Sequence, residues 1–427
     1  MLPRLRAPEP ADPALFLWAA GIEDTFIIDP WPATGRILDE YALTHHDTLW
    51  RDDLARLASL GVRVARYGIP WYRIQPAPDR WDWSFADRAL AELGRYGVEV
   101  ILDLVHYGTP PWLERSFLSP DYPSRVAEYA ARAGERYRGC VRWFTPLNEP
   151  RITAWYAGRI GHWPPYARGW RGFVAVMLAL CRGICRTGAA LRAVAPEAVL
   201  VHVDAGDRYV TADPDLAEEV ARRQAIGFLA LDLVSGRVDE RHALWPWLQS
   251  LGVTPESLAW FREHAVPLDV VGVNAYPMYP LKQLLRTPRG LRIRMPYATA
   301  ETLRWLLAAY AARYRRPVMI TETAAAGSVA RRARWLDDSI AVVRALRSVG
   351  IPVIGYTWWP IYGLVGWAYR TGTRELIEYV VQMGLWDLRA DERGELTRRV
   401  ATPLVARFRS YVARGLEAVG RMGAARL

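Results

Sequence analysis

Lysine is almost missing from this 427-residue chain. Lys282 is the single example, so the formal net charge of +10 rests on arginine. The arginines are scattered through helix-like stretches such as 313–316 and 331–334. They form neither the coherent patch nor the reading motif that nucleic-acid recognition needs, so no nucleic-acid partner is expected. An arginine-rich solvated surface is expected instead, with contact to an anionic surface left open. Cysteine is scarce too. Cys140, Cys181 and Cys185 make an odd count without metal-ligand spacing beside histidines. Cys181 and Cys185 stand one helical turn apart among small residues, which favours packing over a disulfide and suits a reducing, cytoplasmic setting. No apolar run approaches the length of a membrane span, so no integral membrane segment is expected. The short run before Gly21-Ile22-Glu23-Asp24 continues straight into polar residues, which argues for a strand rather than a signal peptide. No glycine-rich phosphate loop occurs either. What is present is ample core material, since 51 % of residues are hydrophobic.

Short β-branched runs alternate with amphipathic helical stretches, the pattern of repeated βα units. Strands are expected at 14–20, 62–68, 98–105, 141–147, 198–204, 268–275, 316–321 and 352–358. Helices are expected at 47–60, 84–96, 123–138, 170–194, 213–235, 299–314 and 330–349. Gly61, Gly97 and Gly350 each fall where a glycine should end a helix before a strand. Eight such units predict a closed α/β barrel, a single (β/α)8 TIM barrel, and no linker splits the chain into further domains across 1–427. The longest irregular stretch is 276–297, with Pro277, Pro280, Pro288, Gly290 and Pro296, and a loop of that kind usually shapes a binding site. The tail 398–427 reads as an arginine-rich surface helix.

Polar groups gather at the predicted strand ends, where an α/β barrel carries its chemistry. Glu149 follows the fourth strand and Glu322 the seventh. Two carboxyls on separate strands are what cleavage of a glycosidic bond requires. Arg66 lies within the second strand and needs a carboxylate partner there. His106 follows the third strand, Asn274 and Tyr276 end the sixth, and Trp358 and Trp359 end the eighth. All of these would face one opening.

These residues carry a resemblance to glycoside hydrolase family 1, retaining β-glycosidases on (β/α)8 barrels. Thr145-Pro146-Leu147-Asn148-Glu149-Pro150 resembles its T-F/L-N-E-P acid/base motif, and Ile320-Thr321-Glu322-Thr323 its I-T-E-N nucleophile motif. Ala65 to Trp71 resembles the Y-R-F-S-I-S-W segment, Val105 to Pro110 the L-x-H-W-D-x-P segment, and Gly272 to Tyr276 the G-I-N-Y-Y pattern. Tyr356 to Trp367 parallels the strand-eight segment that ends in E-W. The resemblance implies a general acid/base at Glu149 and a nucleophile at Glu322, with Arg66 and Tyr276 keeping the latter ionised. It further implies that Asn148 holds a sugar 2-hydroxyl, while His106 and Trp359 wall the sugar subsite and Asn274 and Trp367 support it. Glu149 would need a raised pKa, from burial and the charge of Glu322. The carboxyls of such an enzyme stand ~5–5.5 Å apart. No cofactor and no metal are required, and the partner implied is a carbohydrate or glycoside substrate.

Two departures from the family pattern concern the sugar. Gly366 stands where the family carries a glutamate, and the segment 21–25 is shortened, with no glutamine to be placed there. Glycine at 366 is expected to leave room, so a sugar other than ordinary glucose or galactose is expected. Glu23 or Asp24 would replace a lost contact, unless Glu23 only pairs with an arginine. Trp71, Trp112, Trp163 and Trp358 are candidates for lining an aglycone site. Asp52-Asp53, Asp337-Asp338 and His45-His46 resemble metal-binding pairs but read better as helix caps. Two alternatives share the barrel: a transglycosidase using the same glutamates, and a carbohydrate-binding barrel without turnover.

Overall fold

In the computed structural model, which describes residues 15–416, eight parallel strands close into a barrel. They are β1 (Leu17–Ile22), β2 (Val64–Gly68), β3 (Glu99–Asp103), β4 (Trp143–Thr145), β5 (Val199–Ala205), β6 (Val270–Asn274), β7 (Val318–Thr323) and β8 (Val353–Trp358). Each strand pairs with its neighbours in sequence, and β8 closes on β1. The outer helices are α1 (His46–Ser59), α2 (Ser84–Arg95), α3 (Tyr122–Arg136), α4 (Gly169–Val194), α5 (Ala217–Val234), α6 (Ala300–Tyr314) and α7 (Val329–Ser348). The fold is thus the (β/α)8 barrel that the strand alternation predicts, and Gly61, Gly97 and Gly350 do take positive φ after their helices.

Strand periodicity explains why chemistry lies at one end. Leu17, Ala19, Val64, Ile101, Trp143, Val199, Val201, Val203, Val270, Met319 and Ile354 form an apolar plug inside the barrel. Successive side chains on a strand alternate between faces, so the next inward residues after Val64, Ile101 and Trp143 are Arg66, Asp103 and Thr145. An apolar layer therefore carries a buried polar layer directly above it. Strand β7 breaks strict alternation. Its register shifts against β6 between Ile320 and Glu322, and a bulge of this kind re-aims a side chain. Met319 and Glu322 consequently both point inward.

Several expectations need correction. Residues 276–297 are not one irregular loop, because Leu281–Thr287 and Gly290–Arg294 pair as an antiparallel hairpin, beside the short strand Arg208–Val210. The prolines of this stretch all lie outside the two strands and only punctuate them. The tail begins with a strand, Arg398–Ala401, paired to Trp386–Arg389. Helix α8 (Pro403–Arg414) follows and buries Leu404 and Phe408, the latter 6.0 Å from the Trp18 ring. Residue 14 of the first predicted strand and residues 417–427 of the tail lie outside the described residues. The α4 helix is, by length and composition, long and apolar enough to cross a membrane, which the sequence expectation did not include. It is built into the barrel wall, burying Phe173, Met177, Leu180, Ile184 and Leu191. Cys181 and Cys185 are buried there as free thiols.

The acidic pairs are not helix caps. Asp53 accepts from His46 Nδ1 at 3.0 Å and from Arg399 Nε and Nη2 at 2.9 Å, while His46 Nε2 meets the Tyr67 hydroxyl at 3.0 Å. Asp337 accepts from Arg407 Nε at 2.7 Å and the Tyr411 hydroxyl at 2.8 Å. Both networks tie the carboxyl-terminal elements back onto the barrel.

Candidate active site

Arg66 is fully buried at the centre of the polar layer and its two terminal nitrogens each serve two acceptors. Nη1 donates to Glu23 Oε1 at 2.8 Å and to Glu322 Oε1. Nη2 donates to Asp103 Oδ2 at 2.8 Å and Asn148 Oδ1 at 2.7 Å. A planar fork suits this four-way task, which a point charge does not. Glu322 receives a second donor, the Tyr276 hydroxyl at 2.5 Å from Oε2. The arginine and tyrosine predicted beside Glu322 are therefore both in contact with it.

Glu149 sits across the mouth in different surroundings. Its Oε1 accepts from Asn274 Nδ2 at 2.9 Å and its Oε2 from the Tyr107 hydroxyl. Its backbone N–H donates to Val203 O at 3.1 Å, and that of Asn148 to Val105 O at 2.9 Å, so the two residues are moored between β3 and β5. Glu149 and Tyr107 both have left-handed backbones, at φ 44° and 71°. Such conformations cost of order 1–3 kcal/mol in non-glycine residues and persist only where the surroundings over-determine them. Burial, then the charge of Glu322, push the Glu149 carboxyl up to about 7, against the donors Tyr107 and Asn274.

Tyr107 is the site residue that sequence reasoning missed. It stands where the family's H-W segment carries a tryptophan, next to His106. Its ring packs 5.0 Å from Trp163 and 5.4 Å from Trp367, which in turn meet Tyr156. This apolar cluster roofs the acid/base candidate. Trp163 thus belongs to the site, whereas Trp71 stacks on Tyr129 and Trp358 is fully buried. Trp112 donates to Gln75 O at 2.7 Å.

The segment after β1 is drawn tightly into the cleft. Trp359 Nε1 donates to Glu23 O at 2.6 Å, Trp367 Nε1 to Thr25 Oγ1 at 2.9 Å, and Phe26 N to His106 O at 3.3 Å. Two glycines permit this approach. A Cβ at Gly21 would lie 2.6 Å from Glu23 Oε2, and one at Gly108 only 1.8 Å from Phe26 O. The Glu23 side chain is fully buried and serves Arg66. Desolvation, opposed by Arg66 and aided by Glu322, holds its carboxyl well above the usual range. Asp24 is half-buried and water reaches it. Burial, opposed by the His106 ring, raises its carboxyl to about 7.

Two expectations about this wall change. His106 does not present its ring nitrogens outward: Nδ1 lies 2.9 Å from Asp103 Oδ2 and Nε2 lies 3.1 Å from Asn148 Nδ2. Gly366 does not open space either, because a Cβ there would meet Tyr379 O and Val381 Cγ2 at 3.3 Å. The ribbon formed by Leu364–Val365 and Val380–Val381 fills it. Beside it, Glu40 is buried with Oε2 accepting from Val365 N at 3.1 Å.

A closed barrel with two carboxyls at strand ends, one clamped by arginine and one in an aromatic pocket, is similar to the arrangement of the barrel glycosidases. Comparison with known proteins agrees. A β-galactosidase family, glycoside hydrolase family 42, matches residues 41–141. A bifunctional β-D-glucosidase/β-D-fucosidase of Bifidobacterium breve is 30% identical over 131 residues, 28% of this chain and 27% of that protein. The thermostable β-glucosidase B of Thermobispora bispora is 31% identical over 147 residues, 33% of this chain and 31% of that one. The matched segments thus span less than a third of these relatives' own length. The family 1 β-glucosidase structure from Thermotoga maritima superposes with a TM-score of 0.80 at 19% identity, covering 94% of this chain and 98% of that one. Together these support a family 1-like member of the (β/α)8 glycosidase group.

Proposed function

We propose that the protein hydrolyses β-glycosides with retention through a covalent glycosyl-enzyme. The observation that carries this reading is the unequal environment of the two glutamates. Glu322 is met by the Arg66 guanidinium and the Tyr276 hydroxyl, donors suited to an ionised carboxylate. Glu149 lies under aromatic rings with its carboxyl raised to about 7, so it holds a proton near neutral pH. Environments that separate two carboxyls in this way assign the acid and the nucleophile.

In the first step Glu322 attacks the anomeric carbon and the glycosidic C–O bond breaks, while Glu149 passes its proton to the departing oxygen. In the second, ionised Glu149 takes a proton from water, whose oxygen displaces Glu322 from the sugar. Arg66 and Tyr276 position the nucleophile, and Asn274 and Tyr107 orient the acid. Asn148 keeps an amide hydrogen beyond its contact with His106 to offer the sugar 2-hydroxyl. The faces of Trp359 and His106 wall the subsite. The wall's own hydrogen bonds support a sugar preference other than ordinary glucose or galactose, because the indole N–H groups are already engaged. A panel of aryl β-glycosides, including 6-deoxy sugars and furanosides, tests the reading. Turnover of at least one substrate should fall at least a thousandfold in both Glu149→Ala and Glu322→Ala. Unchanged rates in both variants refute it.

A further inference from the structure

One carboxyl of the subsite wall has no cationic partner. Trp359 Nε1 is bound to Glu23 O, Trp367 Nε1 to Thr25 Oγ1, and His106 Nε2 faces Asn148. The residues that would ordinarily grip sugar hydroxyls are therefore engaged with the protein. Between Glu23 and Thr25, both pinned against the two tryptophans, stands Asp24. Its Oδ1 takes the Thr25 N–H at 2.8 Å, the Thr25 side chain also approaches the carboxyl, and among the described residues no arginine or lysine forms an ion pair with it. Asp24 is also half-buried where its neighbours are buried, so a ligand in the cleft can reach it.

Behind Asp24 the wall is acidic to an unusual degree. Glu23 is fully buried and its Oε2 has no hydrogen-bond partner, and the same holds for Oε1 of Glu40, which is 1% exposed. Glu23, Asp103 and Glu322 already share the one guanidinium of Arg66. No second arginine or lysine pairs with Glu23, Asp24 or Glu40 among the described residues. Carboxyls crowded together without a matching cation resist ionisation, and a cation supplied by the ligand at Asp24 would let that carboxyl ionise where a hydroxyl would do so only in part.

We propose that Asp24 is the specificity-determining residue of the sugar subsite and that the sugar it selects carries a protonated amino group. This rests on the β-glycosidase reading above. The anomeric carbon must lie between Glu149 and Glu322, so a group meeting Asp24 beside Trp359 and Trp367 sits on the far side of the ring, at the 3- or 4-position. Glu23 and Glu40 do not touch the sugar: crowded behind Asp24 without a cation of their own, they disfavour a further negative charge there until the ligand brings a positive one.

The test compares kcat/KM of the full-length protein for 4-nitrophenyl β-D-glucopyranoside and its 3-amino-3-deoxy and 4-amino-4-deoxy counterparts at pH 7. One amino sugar should be preferred at least tenfold. The preference should collapse to about twofold or less in Asp24→Asn, which keeps an oxygen for the Thr25 N–H. The ratio is read, so a general loss of activity in the variant does not confound it. Calorimetric titration with free 3-amino-3-deoxyglucose, 4-amino-4-deoxyglucose and glucose reads the same preference without turnover, and so separates failure of this proposal from failure of the hydrolase reading. Equal or weaker binding of both amino sugars, or an undiminished preference in Asp24→Asn, overturns it.

Discussion

Glu23 and Glu322 share a single donor, Nη1 of Arg66, although one follows the first barrel strand and the other closes the seventh. The position of the candidate nucleophile is therefore set in part by a carboxyl that never meets the scissile bond. Arg66→Lys keeps the charge but cannot reach Glu23, Glu322, Asp103 and Asn148 at once. Loss of a buried ion pair typically costs about 3–5 kcal/mol. The variant should show a clearly lower thermal midpoint and at least a hundredfold lower kcat on an aryl β-glycoside. Parent-like values in both would show that the shared donor is dispensable.

Tyr107 tunes the acid. Its hydroxyl donates to Glu149 Oε2, which favours the ionised carboxylate and holds down a pKa that burial raises to about 7. Removing that donor lets the pKa rise further. Tyr107→Phe should therefore shift the alkaline limb of the kcat/KM–pH profile upward, by roughly half a unit to one unit. A limb that stays in place, or moves to lower pH, contradicts the role.

Asp204 reports the cost of buried acids in this barrel. It is fully buried, and desolvation, with a contribution from Glu149, raises its carboxyl to about 7 against the pull of Arg151. The folded chain thus keeps a proton that the unfolded chain releases near pH ~4. Stability falls as pH rises between those values and levels off above them. Asp204→Asn should be more stable than the parent at pH 8, by roughly 2–4 kcal/mol, with little difference at pH 4. Denaturant unfolding at the two pH values measures this, and an equal difference at both would exclude it.

Gly108 marks the place where the β1 segment enters the cleft. Its Cβ position lies 1.8 Å from Phe26 O, which no flexible side chain can relieve. Gly108→Ala should displace residues 23–27, lowering the thermal midpoint and cutting turnover at least tenfold. Retention of both would mean that the segment is less firmly seated than its hydrogen bonds indicate.

The eight strands were legible because they are short apolar runs, most of them leading into a polar residue near the end. Arg66, His106, Asn148, Glu149, Asn274, Tyr276, Glu322 and Trp359 lie on or just after such ends, and the structure brings them together. Three things were not legible. Alternation alone would send Glu322 outward, and only the bulge in β7 turns it in. Tyr107 reaches Glu149 through a left-handed backbone that no local pattern announces. The space beside Gly366 is filled by Tyr379 and Val381, thirteen and fifteen positions further along the chain, so a small residue there did not mean room. Glycine at 108, where the family pattern has an aspartate, was the available signal that another segment approaches closely.

The covalent intermediate on Glu322 is the account's central claim. Its most direct test uses the 2-deoxy-2-fluoro glycosyl fluoride of whichever sugar the aryl panel selects, followed by peptide mass mapping. The expected result is one glycosyl residue on the peptide containing Glu322, with none in Glu322→Ala. Label on another residue, or full turnover with no adduct at all, would contradict it.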